Sequence, residues 1–286
     1  MSSARTIRTV HTVSELREQV KAWRAAGERI ALVPTMGALH AGHVALMKDG
    51  QSHAERIVVS IFVNPTQFAP TEDLSRYPRT LEADLAKADA AGVDLAFVPD
   101  VAEMYPEGFS TTISLTGPAL GLETDFRPTH FAGVATVVAK LLLQAAPDVA
   151  MFGEKDYQQL QVVTRMARDL DIPVRIVGVP TMREADGLAL SSRNVYLSRE
   201  DRAAAPELHR ALSGAAAAIA DGSNVLSAVD AARRTVTAAG FRLDYLEARH
   251  AVTLAPVASR EDGPIRLLVA ARIGTTRLID NLAVPD

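Results

Sequence analysis

The sequence predicts an α/β protein, a Rossmann-like doubly wound parallel sheet followed by a smaller C-terminal α+β domain. Three observations predict it. Up to about residue 181, short apolar runs alternate with longer amphipathic stretches, which is the rhythm of βα units. Beyond that point two alanine-rich helical stretches follow one another, and then come β-rich segments with no helix between them. The length of 286 residues is enough for two modest domains and a sizeable core.

In the first domain, taken as residues 1–181, strands are expected at Arg29–Pro34, Arg56–Val63, Asp94–Val98, Val149–Phe152 and Val174–Val179, each a short apolar run. Helices are expected between them. Ser14–Ala26 starts with Ser14 as N-cap and stops at Gly27, and another helix begins near Gly42. Arg79–Ala91 carries Leu81, Leu85 and Ala88 on one face and stops at Gly92. Phe131–Ala146 is apolar nearly all round and so is expected to be buried, whereas Asp156–Leu170 opens on an acid suited to a helix N-terminus. In the second domain, residues 182–286, helices are expected at Arg199–Ala220, with Ser198 as cap, and at Val225–Ala239. Strands follow at Asp244–Arg249, Ile265–Ile273 and Thr276–Asn281, the last two joined by a tight turn at Gly274-Thr275.

Composition removes several classes of function. There is no cysteine, so disulfides, thiolate metal sites and thiol nucleophiles are excluded. Lys plus Arg number 30 against 34 for Asp plus Glu, with no long block of like charge, so no nucleic-acid surface is indicated. No apolar run reaches the roughly 18 residues needed to span a bilayer. The start, MSSARTIRTVHTVSELREQ, lacks the apolar block of a secretory signal, and a cytoplasmic protein is expected.

The chemistry starts at residues 34 to 43, PTMGALHAGH, directly after the apolar run Ile30–Val33. His40 and His43 stand three positions apart at the start of a helix, and Gly37 supplies a turn. A metal site, a packed helix start and an anion pocket compete for this pair. The metal reading lacks a recognisable third ligand. Backbone N–H groups at a strand-to-helix turn, joined by two imidazoles, suit an anion.

His40-Ala41-Gly42-His43 resembles the HxGH signature of the ATP-dependent nucleotidylyl transferases, which attack the ATP α-phosphate and release pyrophosphate. Longer stretches sharpen this: VSIFVNPTQF at 59–68, YPR at 77–79, RPTHFAGV at 127–134, FGEKDYQQL at 152–160, GLALSSRN at 187–194 and GTTRLIDN at 274–281. Together they resemble the pantothenate synthetases, or pantoate–β-alanine ligases, over essentially the whole chain.

The resemblance implies condensation of pantoate with β-alanine through a pantoyl adenylate, with ATP as substrate and Mg²⁺ as cofactor. It also implies a cytoplasmic homodimer. Another HxGH-type nucleotidylyl transferase is the alternative reading, and a nucleotide-binding scaffold without turnover is a third. On the matching positions, His40, His43, Lys155 and Arg193 are the expected catalytic groups. ATP is expected at Pro34, Thr35, Met36, His40, His43, Gly153, Lys155, Asp156, Met182, Ser191, Ser192 and Arg193, and pantoate at Met36, Asn64, Gln67 and Gln159. Ser191-Ser192-Arg193-Asn194 stands where class I aminoacyl-tRNA synthetases carry their KMSKS loop, and two hydroxyls with one guanidinium suit phosphate. Asp84 matches the family's metal aspartate, with Ala83 where some relatives carry a second acid. His130 and Glu123 belong to a family segment near the β-alanine entrance.

Overall fold

The computed structural model describes residues 7–69 and 74–285; the first six residues, read above for a targeting signal, lie outside that range. The chain divides into two compact units. The first comprises Met1–Leu115, Arg127–Glu154 and Val162–Pro180, and the second Thr116–Phe126, Lys155–Gln161 and Thr181–Asp286.

The main boundary thus falls after Pro180, but two short segments ahead of it join the second unit. A single cut after residue 181 misses them because their ties are to distant residues. Glu123 forms an ion pair with Arg277 at 2.7 Å, the Tyr157 hydroxyl donates to the Ala251 carbonyl at 2.9 Å, and the Asn281 amide donates to the Lys155 carbonyl at 2.8 Å.

The first unit holds β1 (Arg8–Val10), α1 (Val13–Ala25), β2 (Ile30–Thr35), α2 (Ala41–Gly50), β3 (Arg56–Ile61), α3 (Leu81–Ala90), β4 (Leu95–Phe97) and α4 (Val101–Met104). A short α5 (Glu123–Phe126) belongs to the second unit, and the first resumes with α6 (His130–Ala145) and β5 (Val149–Gly153). The chain then runs through α7 (Tyr157–Asp169), whose first turn is in the second unit, to β6 (Arg175–Val179). The six strands are all parallel, in the order β1-β4-β3-β2-β5-β6. Ile30, Ala31, Leu32 and Val33 in β2 are at most 1% exposed, as expected of a parallel strand covered on both faces. From β2 the chain steps outward to β3 and β4, then returns to the other side of β2 with β5. The order therefore reverses between β2 and β5, and their carboxyl ends, Thr35 and Gly153, mark the place where such sheets bind ligands.

Several boundaries differ from the sequence reading. Helix α1 is capped by Thr12, whose hydroxyl accepts the Glu15 N–H while Glu15 reaches back to the Thr12 N–H; Ser14 lies inside the helix. Strand β1 has only three residues on the sheet edge, too few to display a period. In the second unit the helix expected over 199–220 is two helices, α8 (Arg199–Ala204) and α9 (Glu207–Ala220). Pro206 lies at the break, where it has no N–H to donate and its ring disfavours the preceding turn. Ser198 does cap α8, by accepting the Asp201 N–H.

Helix α10 (Val225–Ala238) packs with α9 over an antiparallel sheet of β7 (Arg242–His250), β8 (Ile265–Ile273) and β9 (Thr276–Ala283). Gly274 turns the chain between β8 and β9 at φ +53°, a conformation that glycine adopts without a side-chain penalty. Among the described residues no helix is long and apolar enough to cross a membrane.

Candidate active site

The β2–α2 loop is held by polar groups of its own and by side chains of α3. Thr35 donates its hydroxyl to the Ser60 carbonyl at 2.7 Å and accepts the Gly37 N–H at 3.2 Å. Gly37 and Ala38 both take positive φ, +82° and +51°, which turns the next two N–H groups towards α3. There the Asp84 carboxylate accepts the Ala38 N–H at 2.9 Å and the Leu39 N–H at 2.7 Å, and the Thr80 hydroxyl donates to it as well.

At the start of α2 the two histidines cap each other's turn. His40 is the N-cap residue: its Nδ1 accepts the Gly42 N–H at 3.1 Å, while His43 Nδ1 accepts the His40 N–H at 3.3 Å. An Nδ1 that accepts has no proton of its own, so in each neutral ring the proton is on Nε2, which becomes the donor. The ring centroids are 4.1 Å apart, which makes a paired set of imidazole donors at the carboxyl end of β2. Gly42 is required between them, because a Cβ there would lie 2.8 Å from His40 Cε1. The helix-start reading and the anion reading therefore describe the same geometry. One expectation is corrected: the N–H groups of Gly37, Ala38, Leu39, His40 and Gly42 are already bonded, three of them within the turn and those of Ala38 and Leu39 to Asp84, so the amides expected to receive an anion are engaged in holding the turn.

Asp84 is likewise corrected. It is 1% exposed and accepts three donors, whereas Mg²⁺ keeps several waters and seeks bare oxygens. Asp84 as placed does not fit a magnesium ligand. Among the described residues no group of three or more His, Cys, Asp or Glu could hold a metal ion.

Beyond β3, Asn64 caps the 3-10 turn Pro65–Gln67. Its Oδ1 accepts the Thr66 N–H at 3.3 Å, the Thr66 hydroxyl at 2.9 Å and the Tyr105 hydroxyl at 2.7 Å, which identifies that atom as oxygen. Its Nδ2 donates to the Gly133 carbonyl at 3.3 Å and to Gln67 Oε1 at 3.1 Å. The Gln67 amide is thereby oriented with its Nε2 away from Asn64, resting on the Met36 sulfur at 3.1 Å, a weak acceptor. Asn64 is 1% exposed with both amide atoms bonded inside the protein, which makes it a support of the Gln67 amide. His130 Nδ1–H donates to the Gln67 carbonyl at 2.9 Å, which also makes His130 a support of this turn. Gly133 is dictated by the same packing, since a Cβ there would lie 2.4 Å from the Thr66 carbonyl oxygen. Tyr105 escaped the sequence reading: it lies far along the chain in no recognisable motif.

In the second unit the chain leaves Gly153 and Glu154 and enters at Lys155, whose ammonium is 3.7 Å from Asp156. The adjacent glutamines divide their roles. Gln158 is 3% exposed and uses its amide to hold the Pro118 and Gly121 carbonyls and the Glu123 N–H, whereas Gln159 is only partly buried. Ser191 Oγ accepts the Arg193 N–H at 3.2 Å and so caps the 3-10 turn Ser192–Tyr196. Met182 is 44% exposed, and its carbonyl accepts the Leu190 N–H at 2.9 Å, which pins the base of the loop that carries these serines.

Glu123 is not an open ligand. Both its oxygens are paired with the Arg277 guanidinium, at 2.7 and 2.8 Å, and one also accepts the Tyr245 hydroxyl at 2.8 Å. Burial alone would lower the Arg277 pKa, but its bonds to Glu123 and Asp244 hold it raised. Burial first, then the Glu123 carboxylate, pushes the Tyr245 phenol well above its ordinary value.

A parallel sheet that reverses order beside an HxGH turn defines an α/β nucleotide-binding protein of the HxGH nucleotidylyl transferase type. A family model described as pantoate-beta-alanine ligase matches residues 8–283. Pantothenate synthetase from Bradyrhizobium sp. (strain BTAi1) is 60% identical over 282 residues, 98% of this chain and 100% of the relative. That from Rhodopseudomonas palustris (strain BisA53) is 61% identical over 274 residues, 96% of this chain and 97% of the relative. The crystal structure of pantothenate synthetase from Thermus thermophilus matches with a TM-score of 0.90 at 52% identity, covering 97% of this chain and 99% of that one. Pantoate-beta-alanine ligase from Francisella tularensis, complexed with beta-gamma ATP and β-alanine, matches with a TM-score of 0.81 at 33% identity and 97% coverage of both chains. The chain belongs to the pantoate-beta-alanine ligase family. It is an ATP-using ligase that joins pantoate to β-alanine.

Proposed function

We propose that this chain carries out the ligation in two steps, with the reciprocally capped His40–His43 pair as the element that receives the ATP phosphates. A pantoate carboxylate oxygen attacks the ATP α-phosphorus, the bond to the pyrophosphate oxygen breaks, and pantoyl adenylate forms. The β-alanine amine then attacks the acyl carbon and loses a proton, and AMP leaves with the bridging oxygen.

The observation that supports the assignment most is the histidine geometry. With both Nδ1 atoms accepting backbone N–H groups, each neutral ring carries its proton on Nε2 and is held by the turn in one orientation, which suits a group that must meet charge building on the phosphate. Lys155, Arg193 and the hydroxyls of Ser191 and Ser192 are assigned to the triphosphate, with Pro34, Thr35, Met36, Gly153, Asp156 and Met182 around the nucleotide. Pantoate is assigned to Gln67, through the Nε2–H that Asn64 turns towards Met36, together with Gln159 and Met36. The task of these groups is positioning and charge neutralisation, because a carboxylate must approach a polyanion in line with its leaving group. Magnesium is proposed to arrive with ATP on phosphate oxygens and water. A homodimer in the cytoplasm is proposed as its working state.

Pantoate-dependent exchange of labelled pyrophosphate into ATP tests this reading. Exchange that needs pantoate but no β-alanine is the expected result, and exchange without any acid, or none under any condition, overturns it.

A further inference from the structure

Helix α3 grips the signature loop at both the N–H and the carbonyl of one residue, Leu39. Asp84 accepts the Ala38 and Leu39 N–H groups at 2.9 and 2.7 Å, and one turn on, Lys87 Nζ donates to the Leu39 carbonyl at 2.6 Å. The loop needs such a grip. Ala38 has φ +51°, a region that side-chain-bearing residues rarely adopt, and a carboxylate facing two successive N–H groups is the kind of partner that holds it there. Thr80 fixes the carboxylate in turn by donating its hydroxyl at 3.1 Å. A Cβ at Gly37 would lie 3.1 Å from Asp84 Oδ2, so the loop sits directly against this group. Leu39 leads straight into His40, whose own N–H is the one that fixes the His43 tautomer.

We infer that Asp84 and Lys87 are positioning residues of the ligation: they clamp the Gly37–Leu39 turn and thereby hold the two imidazoles, and Asp84 does so in place of binding metal. This rests on the assignment of His40 and His43 to ATP. The consequence is a specific kinetic pattern. Loosening the clamp weakens the step that uses the histidines and leaves untouched both the pantoate support at Asn64 and the metal that travels with ATP.

The test compares Asp84→Asn, Lys87→Met and the double variant with the wild-type protein. Pantoate-dependent pyrophosphate exchange is measured across Mg²⁺ concentrations, and deuterium uptake is followed over residues 35–42. Replacing the carboxylate with an amide loses one charge-assisted acceptor and turns an NH₂ on an N–H, so exchange falls roughly ten- to a hundredfold in D84N, and about three- to tenfold in K87M. The double variant falls by less than the product of the two, because both act through one loop. Half-saturating Mg²⁺ and the pantoate KM stay within about twofold of wild type, and the loop takes up deuterium faster in every variant. A raised Mg²⁺ requirement with full recovery at saturation makes Asp84 a metal ligand and overturns the inference. So does unchanged exchange or unchanged deuterium uptake in folded K87M, a substitution at an exposed side chain that also carries the test if D84N does not fold. Should the wild type show no exchange, the ligase assignment fails while deuterium uptake still decides whether the clamp exists.

Discussion

Asn64→Asp reverses a hydrogen-bond direction without changing the size of a side chain. Asn64 donates through one NH₂ to Gln67 Oε1 at 3.1 Å and to the Gly133 carbonyl at 3.3 Å. Aspartate puts an acceptor there, facing two acceptors in a place that is 1% exposed. The backbone carbonyl cannot turn, but the Gln67 amide can, and after a flip its Nε2–H faces inward and its Oε1 faces out. The Gly133 carbonyl then loses its second donor and keeps its place in the α6 ladder, so the stability loss from this contact is about 0.5–1.5 kcal/mol, the net worth of one hydrogen bond. On the side turned to Met36, where pantoate is proposed to bind, a donor becomes an acceptor. Losing a hydrogen bond to a charged group weakens binding by about 1.5–3 kcal/mol, or roughly ten- to a hundredfold in the pantoate KM. The ATP KM stays near wild type, because the bonds described for Asn64 reach Gln67, Gly133, Thr66 and Tyr105 and belong to the turn after β3. The assay is pyrophosphate exchange at varied pantoate, with thermal unfolding alongside to show the variant is folded. A folded N64D protein with an unchanged pantoate KM refutes the argument that Asn64 sets the polarity of Gln67.

Three further outcomes follow from the packing. Gly133→Ala forces a Cβ to 2.4 Å from the Thr66 carbonyl oxygen, so thermal unfolding should show a loss at or above the usual overpacking range of about 1–3 kcal/mol; an unchanged melting temperature contradicts that contact. Arg277→Met leaves Glu123 buried without its cation, for an expected loss of about 3–5 kcal/mol in denaturant unfolding, and a variant as stable as wild type contradicts the pairing. Glu55 is exposed, yet the Arg29 side chain and then its backbone N–H hold its pKa down from 4.5 to about 2. A depressed carboxylate stabilises the fold above its unfolded value and loses that contribution as pH falls from 4.5 through about 2, so Glu55→Gln should flatten this part of the acid-unfolding curve, and an identical curve contradicts it.

The parts of this fold legible in the sequence were those with a local cause. β2, β3 and β5 are apolar because a central parallel strand is covered on both faces, and glycine stops mark several helix ends through their positive φ, as at Gly27, Gly92, Gly222 and Gly240. Short-range competition hid other features. Thr12 and Ser14 are both good caps, and only the reach of Glu15 chooses Thr12; Pro206 breaks a helix that an apolar stripe alone would continue. In the site, residue types were readable but the direction in which they act was not. Asn64 and Asp84 were found as polar residues beside signature motifs, yet each turns inward, one to a glutamine amide and the other to two loop N–H groups. That direction depends on Tyr105, Gly133 and Ala38, whose positions relative to these side chains come from the tertiary fold. The same holds for Gln158 and Gln159, neighbours in sequence that only the carbonyls of Pro118 and Gly121 tell apart.

The measurement that bears most directly on the account is the fate of pantoate oxygen in a single turnover. With ¹⁸O in both carboxylate positions, attack of that carboxylate on the α-phosphorus followed by displacement at the acyl carbon must deliver one labelled oxygen to AMP and keep the other in the amide carbonyl. Mass spectrometry of AMP from the wild-type protein should show the mass gain of one ¹⁸O. Pantothenate formed with no label in AMP would mean that no acyl adenylate lies on the path, and the roles given to His40, His43 and Gln67 would fall with it.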